Sequence, residues 1–196
     1  MFTITPLLAR TLRKLGWHAN YRSAAVRKWM LEPASTTVNV PAFYDERELA
    51  KVNGVPPHTS HAYQLERLTR EVTHCPPVHA HLLRDVVMVD GHLFRWNMVQ
   101  PLADHGLPGI STAPLPDIDT GVLASTEYGN RFFGHWLLDD MPLAMAAREL
   151  GDAYGHLGRD NRPSPHQADY AQMFRPDVRY LRNARFRELI IIDEMP

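Results

Sequence analysis

Arg187-Glu188-Leu189-Ile190-Ile191-Ile192-Asp193 sets four large aliphatic residues in a row between charged ones. A strand with one wet face alternates polar and apolar residues. An unbroken run is the pattern of a strand buried on both faces, as in the sheet of an α/β layer. The run therefore predicts a central strand with Ile190 to Ile192 at its heart. Asp193 closes it, and ligands of such sheets bind outside the carboxyl ends of the strands. Upstream, Gly121-Val122-Leu123-Ala124-Ser125 reads as a second strand, residues 131–150 as a helix, 151–165 as loop and 166–174 as a further helix. Strand, helix and buried strand in alternation imply an α/β, Rossmann-like layer over residues 118–196.

Residues 1–117 read as an α+β region. Residues 20–31 can form a basic helix, 33–43 an extended segment between Pro33 and Pro41, and 45–52 and 62–73 two helices. Val86-Val87-Met88-Val89 and His92-Leu93-Phe94-Arg95 flank Asp90-Gly91. That dipeptide accepts positive φ and matches the twist of paired strands, so a β-hairpin is expected there. Pro101, Pro108, Pro114 and Pro116 mark 100–119 as a loop or linker between the two regions.

Composition excludes some classes. Of 196 residues 44% are apolar and 22% charged, which is ordinary for a globular chain with its own core. A net charge of −1 argues against nucleic acid as the main partner. The single cysteine, Cys75, rules out a disulfide within the chain and points to a reducing, cytoplasmic setting. No stretch is apolar enough to read as a membrane span. The first 29 residues are basic and mildly amphipathic, which fits a plain surface helix first and peripheral membrane contact second.

The chemistry concentrates in Tyr128-Gly129-Asn130-Arg131-Phe132-Phe133-Gly134-His135-Trp136-Leu137-Leu138-Asp139-Asp140-Met141-Pro142-Leu143. On a wheel of 100° per residue, Phe132, Phe133, Trp136, Leu143, Ala144, Ala147 and Leu150 share one face. His135 and Asp139 stack on its flank. Asp140 falls near the centre of the apolar face, where an ionised carboxylate is costly unless paired. Pro142 removes a hydrogen bond to Leu138 and should kink or restart the helix. A histidine oriented by a carboxylate can take the proton of an attacking hydroxyl. Spacing alone favours the plainer reading, a surface His–Asp pair with an aspartate capping the restarted helix.

This segment resembles the His-Trp motif region of family 61 glycosyltransferases: His135-Trp136-Leu137-Leu138 followed by acidic residues and Pro142. His166-Gln167-x-x-Tyr170 and the run from Phe186 to Asp193 follow in the family's order, so that the similarity covers residues 80–196. The resemblance implies an inverting enzyme of GT-B type with two Rossmann-like domains. It would use a nucleotide-sugar donor and a glycan acceptor, no cofactor and no essential metal, in making bacterial polysaccharide or other glycans. It implies catalytic roles for His135, Asp139 and Asp140, and substrate contacts for Asn130, Arg131, Trp136, His166 and Tyr170. In the family the donor sits largely in a C-terminal domain. The chain ends three residues after Asp193 and has no Gly-rich phosphate loop, so it reads as an acceptor-side half that lacks that domain.

Two other readings stand beside this one. The chain can be a non-catalytic remnant or glycan-binding module on the same fold. The dense histidines (His58, His61, His79 and His81, with Glu71) can be drawn as a metal-dependent hydrolase, although the prolines around them place them at loops and helix ends. Cys75 reads as a partly buried thiol rather than a nucleophile. The half-site reading predicts that these 196 residues bind nucleotide-sugars weakly or not at all. Tight binding by titration calorimetry would show that the donor site lies within them.

Overall fold

The structure is a computed structural model. It describes residues 5–193 apart from Pro41, Tyr44, Asn53, His58, His105, residues 109–114, 158–164 and 175–176, and apart from the side chains of Thr5, residues 165–168 and Ala171. In chain order the elements are α1 (Thr5–Lys14), α2 (Tyr21–Ala24), β1 (Arg27–Glu32), β2 (Ser35–Val38), α3 (Glu46–Leu49), α4 (His61–Thr69), β3 (Val72–Cys75) and β4 (Val78–Val89). There follow β5 (His92–Arg95), β6 (Met98–Pro101), β7 (Asp117–Leu123), α5 (Phe133–His135), a π-turn (Trp136–Asp140) and α6 (Met141–Ala147). The last are β8 (Ala153–His156), α7 (Pro165–Phe174), β9 (Val178–Leu181) and β10 (Asn183–Ile192).

The chain forms two compact units, Glu32–Pro77 and the remainder. In the larger unit eight strands of the described residues make one sheet in the order β6-β5-β4-β10-β7-β8-β9, with β1 also paired to β4. The protein is thus mixed α/β. β10 joins two kinds of sheet: it runs antiparallel to β4, with Leu189 opposite Leu83, and parallel to β7, with Ile190 opposite Val122. It is central, as the aliphatic run requires. Leu189 and Ile191 pack with Leu83, Phe186 and Tyr154, while Ile190 and Ile192 pack with Val122, Ala144 and Ala147 of α6 on the other face.

Strict alternation breaks once in β4. Leu83 shares a core with Val86 and Met88, two positions that alternation would send to the opposite face. Between them Asp85 has φ 55°, a left-handed residue that shifts the phase. The expected hairpin is present: Val89 pairs with His92 across Asp90 and Gly91, whose φ values are 41° and 70°. Gly91 is required on space as well as conformation, since an added Cβ would lie 2.6 Å from Ala103 Cβ.

Several expectations are corrected. Residues 20–31 are not one helix: α2 is a single turn capped by Asn20, and Arg27 onward is β1. Strand pairing to β4, a long-range contact, overrides the local helix propensity there. The expected boundary at residue 117 falls inside one sheet, because β4, β5 and β6 precede it and β7 to β10 follow it. Residues 151–165, read as loop, contain β8, and β9 follows α7. Part of the expected 100–119 linker, residues 109–114, lies outside the described residues.

The smaller unit is an antiparallel pair, β2 with β3, and the helices α3 and α4. Asp45 and Ser60 cap those helices by accepting from the amides of Arg47 and Tyr63. The Asn39 side chain donates to Arg70 O and Thr73 Oγ1, which fastens the end of β2 to the entry of β3.

Removing the Leu189 side chain tests the role of β10. The residue is fully buried between β4 and β7, so Leu189→Ala should cost about 2–5 kcal/mol. Urea unfolding monitored by circular dichroism reads this; a loss below about 1 kcal/mol would mean the sheet does not hinge on this strand.

Candidate functional site

Parallel pairing puts the carboxyl ends of β7 and β10 side by side, with Leu123 opposite Ile191. Beyond them opens a cavity of about 350 Å³. Its floor is Leu123, Ile191, Ile192 and Leu143, and its polar walls include Tyr21, Gln100, Ser125, Thr126, Glu127, Tyr128, His135 and Asp139. Its position follows the general rule for α/β sheets.

His135 and Asp139 come from the helical segment after β7. The Nδ1–H of His135 donates to Asp139 Oδ2 at 2.8 Å. That bond fixes the ring and leaves the Nε2 lone pair to accept a proton. Nε2 makes no hydrogen bond among the described residues. The ring of Tyr128 lies 5.3 Å from the imidazole and that of Phe132 6.0 Å, centroid to centroid. Both aromatics are about half exposed, so the dyad sits in a partly open, aromatic-walled rim.

Asp140 has a different place. It is buried and outside the cavity lining. Its Oδ1 accepts from the Thr126 amide at 2.9 Å and the Thr126 hydroxyl at 2.8 Å. The Thr126 hydroxyl in turn accepts from the Gly129 amide. A Cβ on residue 129 would lie 2.2 Å from Asp140 Oδ1, so only glycine lets the loop close over the carboxylate. Burial pushes the Asp140 carboxyl up to about 7, against the opposing effect of the two Thr126 hydrogen bonds. Asp140 is a structural tether, which corrects the expectation that it acts on substrate.

The break at Pro142 takes a specific form. Residues 136–140 make a π-turn, closed by the Met141 amide donating to Trp136 O. The register slips by one residue just before the proline, which then sits within the first two positions of α6. A plain 100° wheel therefore fails across it. Phe132, assigned to the buried face, precedes the helix in an extended conformation and is half exposed, while Trp136, Leu143, Ala144 and Ala147 are buried as expected.

Of the expected substrate contacts, Asn130, Arg131, Trp136 and Tyr170 do not line the cavity. Trp136 is fully buried, stacked on Phe133 and edge-on to Tyr170. Tyr170 itself packs on Phe133 and Phe174. Neither lines the cavity, so both are corrected to core packing. The Asn130 amide donates to Leu102 O, Ser125 Oγ and Thr126 O, and so fastens the loop rather than a ligand. Arg131 pairs with Asp104 and lies over the Phe132 ring. The side chain of His166 lies outside the described residues.

A second polar cluster adjoins the cavity through Tyr21. Asp193 Oδ1 accepts from Tyr21 Oη at 3.1 Å, Arg22 Nε at 2.8 Å and His81 Nε2 at 3.1 Å. Burial opposes its charge, but hydrogen bonds from Arg22, His81 and Tyr21 outweigh that and hold its carboxyl at about 2. Burial lowers the pKa of His81. His79 lies 3.5 Å from the other Asp193 oxygen. The His79-x-His81 pair thus meets a carboxylate whose Oδ1 already accepts from Arg22 and Tyr21. Among the described residues no three His, Cys, Asp or Glu side chains converge as a metal-holding group, and His58 is not described. Sequence reasoning missed Tyr21, Gln100 and Glu127, which reach the cavity from three separate segments with no shared motif.

No protein-family model matches the chain, and no curated protein or solved structure matches it.

The Asp140 carboxyl makes a pH prediction. Its folded value of about 7 lies above its ordinary 3.8. The protonated form is therefore favoured by folding, and its contribution is full below the unfolded value and lost as pH rises through the folded one. Stability should fall between about pH 4 and pH 7, with a slope approaching about 1.4 kcal/mol for each pH unit. Asp140→Asn, whose amide oxygen can still accept from Thr126, should flatten that slope. Urea midpoints measured across the window check it; an unchanged slope would place the titrating charge elsewhere.

Proposed function

We propose that the protein is a sugar-transferring enzyme of the kind its His-Trp segment resembles: an inverting, family 61-like glycosyltransferase in polysaccharide or glycan synthesis, with these residues forming its acceptor side. The observation that carries the reading is the His135–Asp139 bond of 2.8 Å on the wall of the cavity at the strand ends. An inverting transfer needs one base to take the proton from the attacking acceptor hydroxyl while the donor's nucleotide leaves from the opposite face. Asp139 holds the Nδ1–H tautomer, so His135 Nε2 is the base, and the imidazolium formed is stabilised by the same carboxylate. Tyr128 and Phe132 offer faces against which a sugar ring packs its C–H groups. The Rossmann-like, GT-B-type character of the layer belongs to this proposal, as does the nucleotide-sugar donor.

The test is transfer by the protein at its full native length, with a panel of nucleotide-sugars and oligosaccharide acceptors. His135→Ala should lower kcat by roughly 10²-fold or more. Asp139→Asn should fall less far, because the imidazole survives but loses its orienting anion. Both residues are exposed enough that circular dichroism should be unchanged. A folded His135→Ala protein with near-full turnover would remove the histidine from the mechanism. Acceptor binding without any transfer would favour a glycan-binding module.

A further inference from the structure

α1 carries apolar residues on its outer side as well as on the side it buries. Ala9 is fully buried against Val87, Val89 and Phe94, while Leu7 and Leu8 of the helix and Leu15, just past its end, are exposed, Leu15 at 75%. Leu7, Thr11 and Leu15 are spaced by four, so they form one outward stripe. Trp17, just beyond, is 67% exposed. The helix also bears Arg13 and Lys14 in its last turn, and Arg10, whose guanidinium donates to Leu107 O. Six lysines and arginines, and none of the chain's 22 acidic residues, fall in residues 1–31. An exposed apolar stripe within a basic, acid-free segment is an uncovered surface with a strong preference about what covers it.

A second, independent oddity lies beside it. The Ala19 amide donates to Asn97 O, and Ala19 bridges Met98, so the chain leaving α1 runs along the β5–β6 turn. The first central residue of that two-residue turn is Trp96, with φ 49°. Glycine is the ordinary occupant of such a position, and a bulky side chain there is strained. Trp96 is nonetheless 68% exposed. It gains little packing in return for the strain, and a strained, solvent-facing aromatic at a turn tip calls for a partner off the protein.

We propose that α1, Trp17 and the Trp96 turn form a membrane-docking edge that lies on an anionic lipid surface, with the leucines and both indoles entering the headgroup boundary and the basic residues facing lipid phosphates. Indoles favour that boundary because one part of the ring system is apolar and the N–H is polar. A second copy of this chain fits less well: symmetric pairing would bring two acid-free cationic segments face to face. The proposal rests on none of the residues of the transfer site and stands whatever reaction the cavity supports.

Co-sedimentation of the whole protein with vesicles tests it. Vesicles of phosphatidylcholine mixed with phosphatidylglycerol should bind it at least about tenfold better than phosphatidylcholine alone, with binding weakened by salt. Arg13→Glu with Lys14→Glu should remove the preference for the anionic vesicles. Leu15→Ser and Trp17→Ala should each weaken binding by about tenfold. Trp96→Gly separates the membrane role from a structural one. Glycine relieves the positive φ, so thermal stability should hold or rise while vesicle binding drops. Equal binding to both vesicle types, no binding to either, or loss of self-association instead of vesicle binding in these variants would overturn the proposal.

Discussion

The bond between Asp140 and Thr126 ties the loop that leaves β7 to the helix that follows it. One carboxylate oxygen receives both the amide and the hydroxyl of Thr126. Gly129 packs over it with no room for a side chain. Asn130 then uses its amide on three oxygens of the same neighbourhood, among them Leu102 O after β6. Loop 125–130, the helix start and the end of the hairpin sheet are thereby held together. His135 stands on the cavity wall just beyond this fastened loop. The most conspicuous carboxylate of the segment fixes the frame that carries Asp139 and His135.

Two aspartates near the cavity show how environment divides like groups. Asp140 has two neutral donors and a buried setting, and its charge is disfavoured. Asp193 has a guanidinium, an imidazole and a phenol, and stays charged far into acid. Asp139 is more open to water and keeps its oxygen for His135. This last arrangement leaves His135 Nε2 without a hydrogen bond among the described residues, on the wall of the cavity. The division follows burial and the partners each carboxylate has.

Much of the frame was legible because its signals are local. Four aliphatic residues before Asp193 mark a strand buried on both faces, and Asp90-Gly91 marks a turn that few other dipeptides make. Asp140 on an apolar face announced a buried charge in need of donors. What stayed hidden was set by distant pairing. Arg27 to Leu31 has no alternation to show, and it is a strand because β4 offers it an edge. Ala153-Tyr154-Gly155-His156 is short and carries a glycine, and it is a strand because β7 and β9 flank it. Gln100 and Glu127 meet Tyr21 only after the sheet has formed. The assignment of Trp136 and Tyr170 to substrate failed for a related reason: an aromatic at a motif is as well suited to filling a core as to holding a ring of sugar, and burial alone decides.

The π-turn at residues 136–140 amounts to one residue more than an α-helix needs between His135 and α6. Each α-helical residue rotates the chain by about 100°. That extra residue acts as an azimuthal offset, allowing the segment's two ends to be aimed separately: Leu143, Ala144 and Ala147 down onto the sheet, His135 sideways to the cavity. A homologue with one residue deleted here would keep every side chain of the dyad and a straighter helix, yet point its imidazole about a quarter turn away. In this architecture the length of the segment, rather than its composition alone, determines whether the histidine faces the cavity.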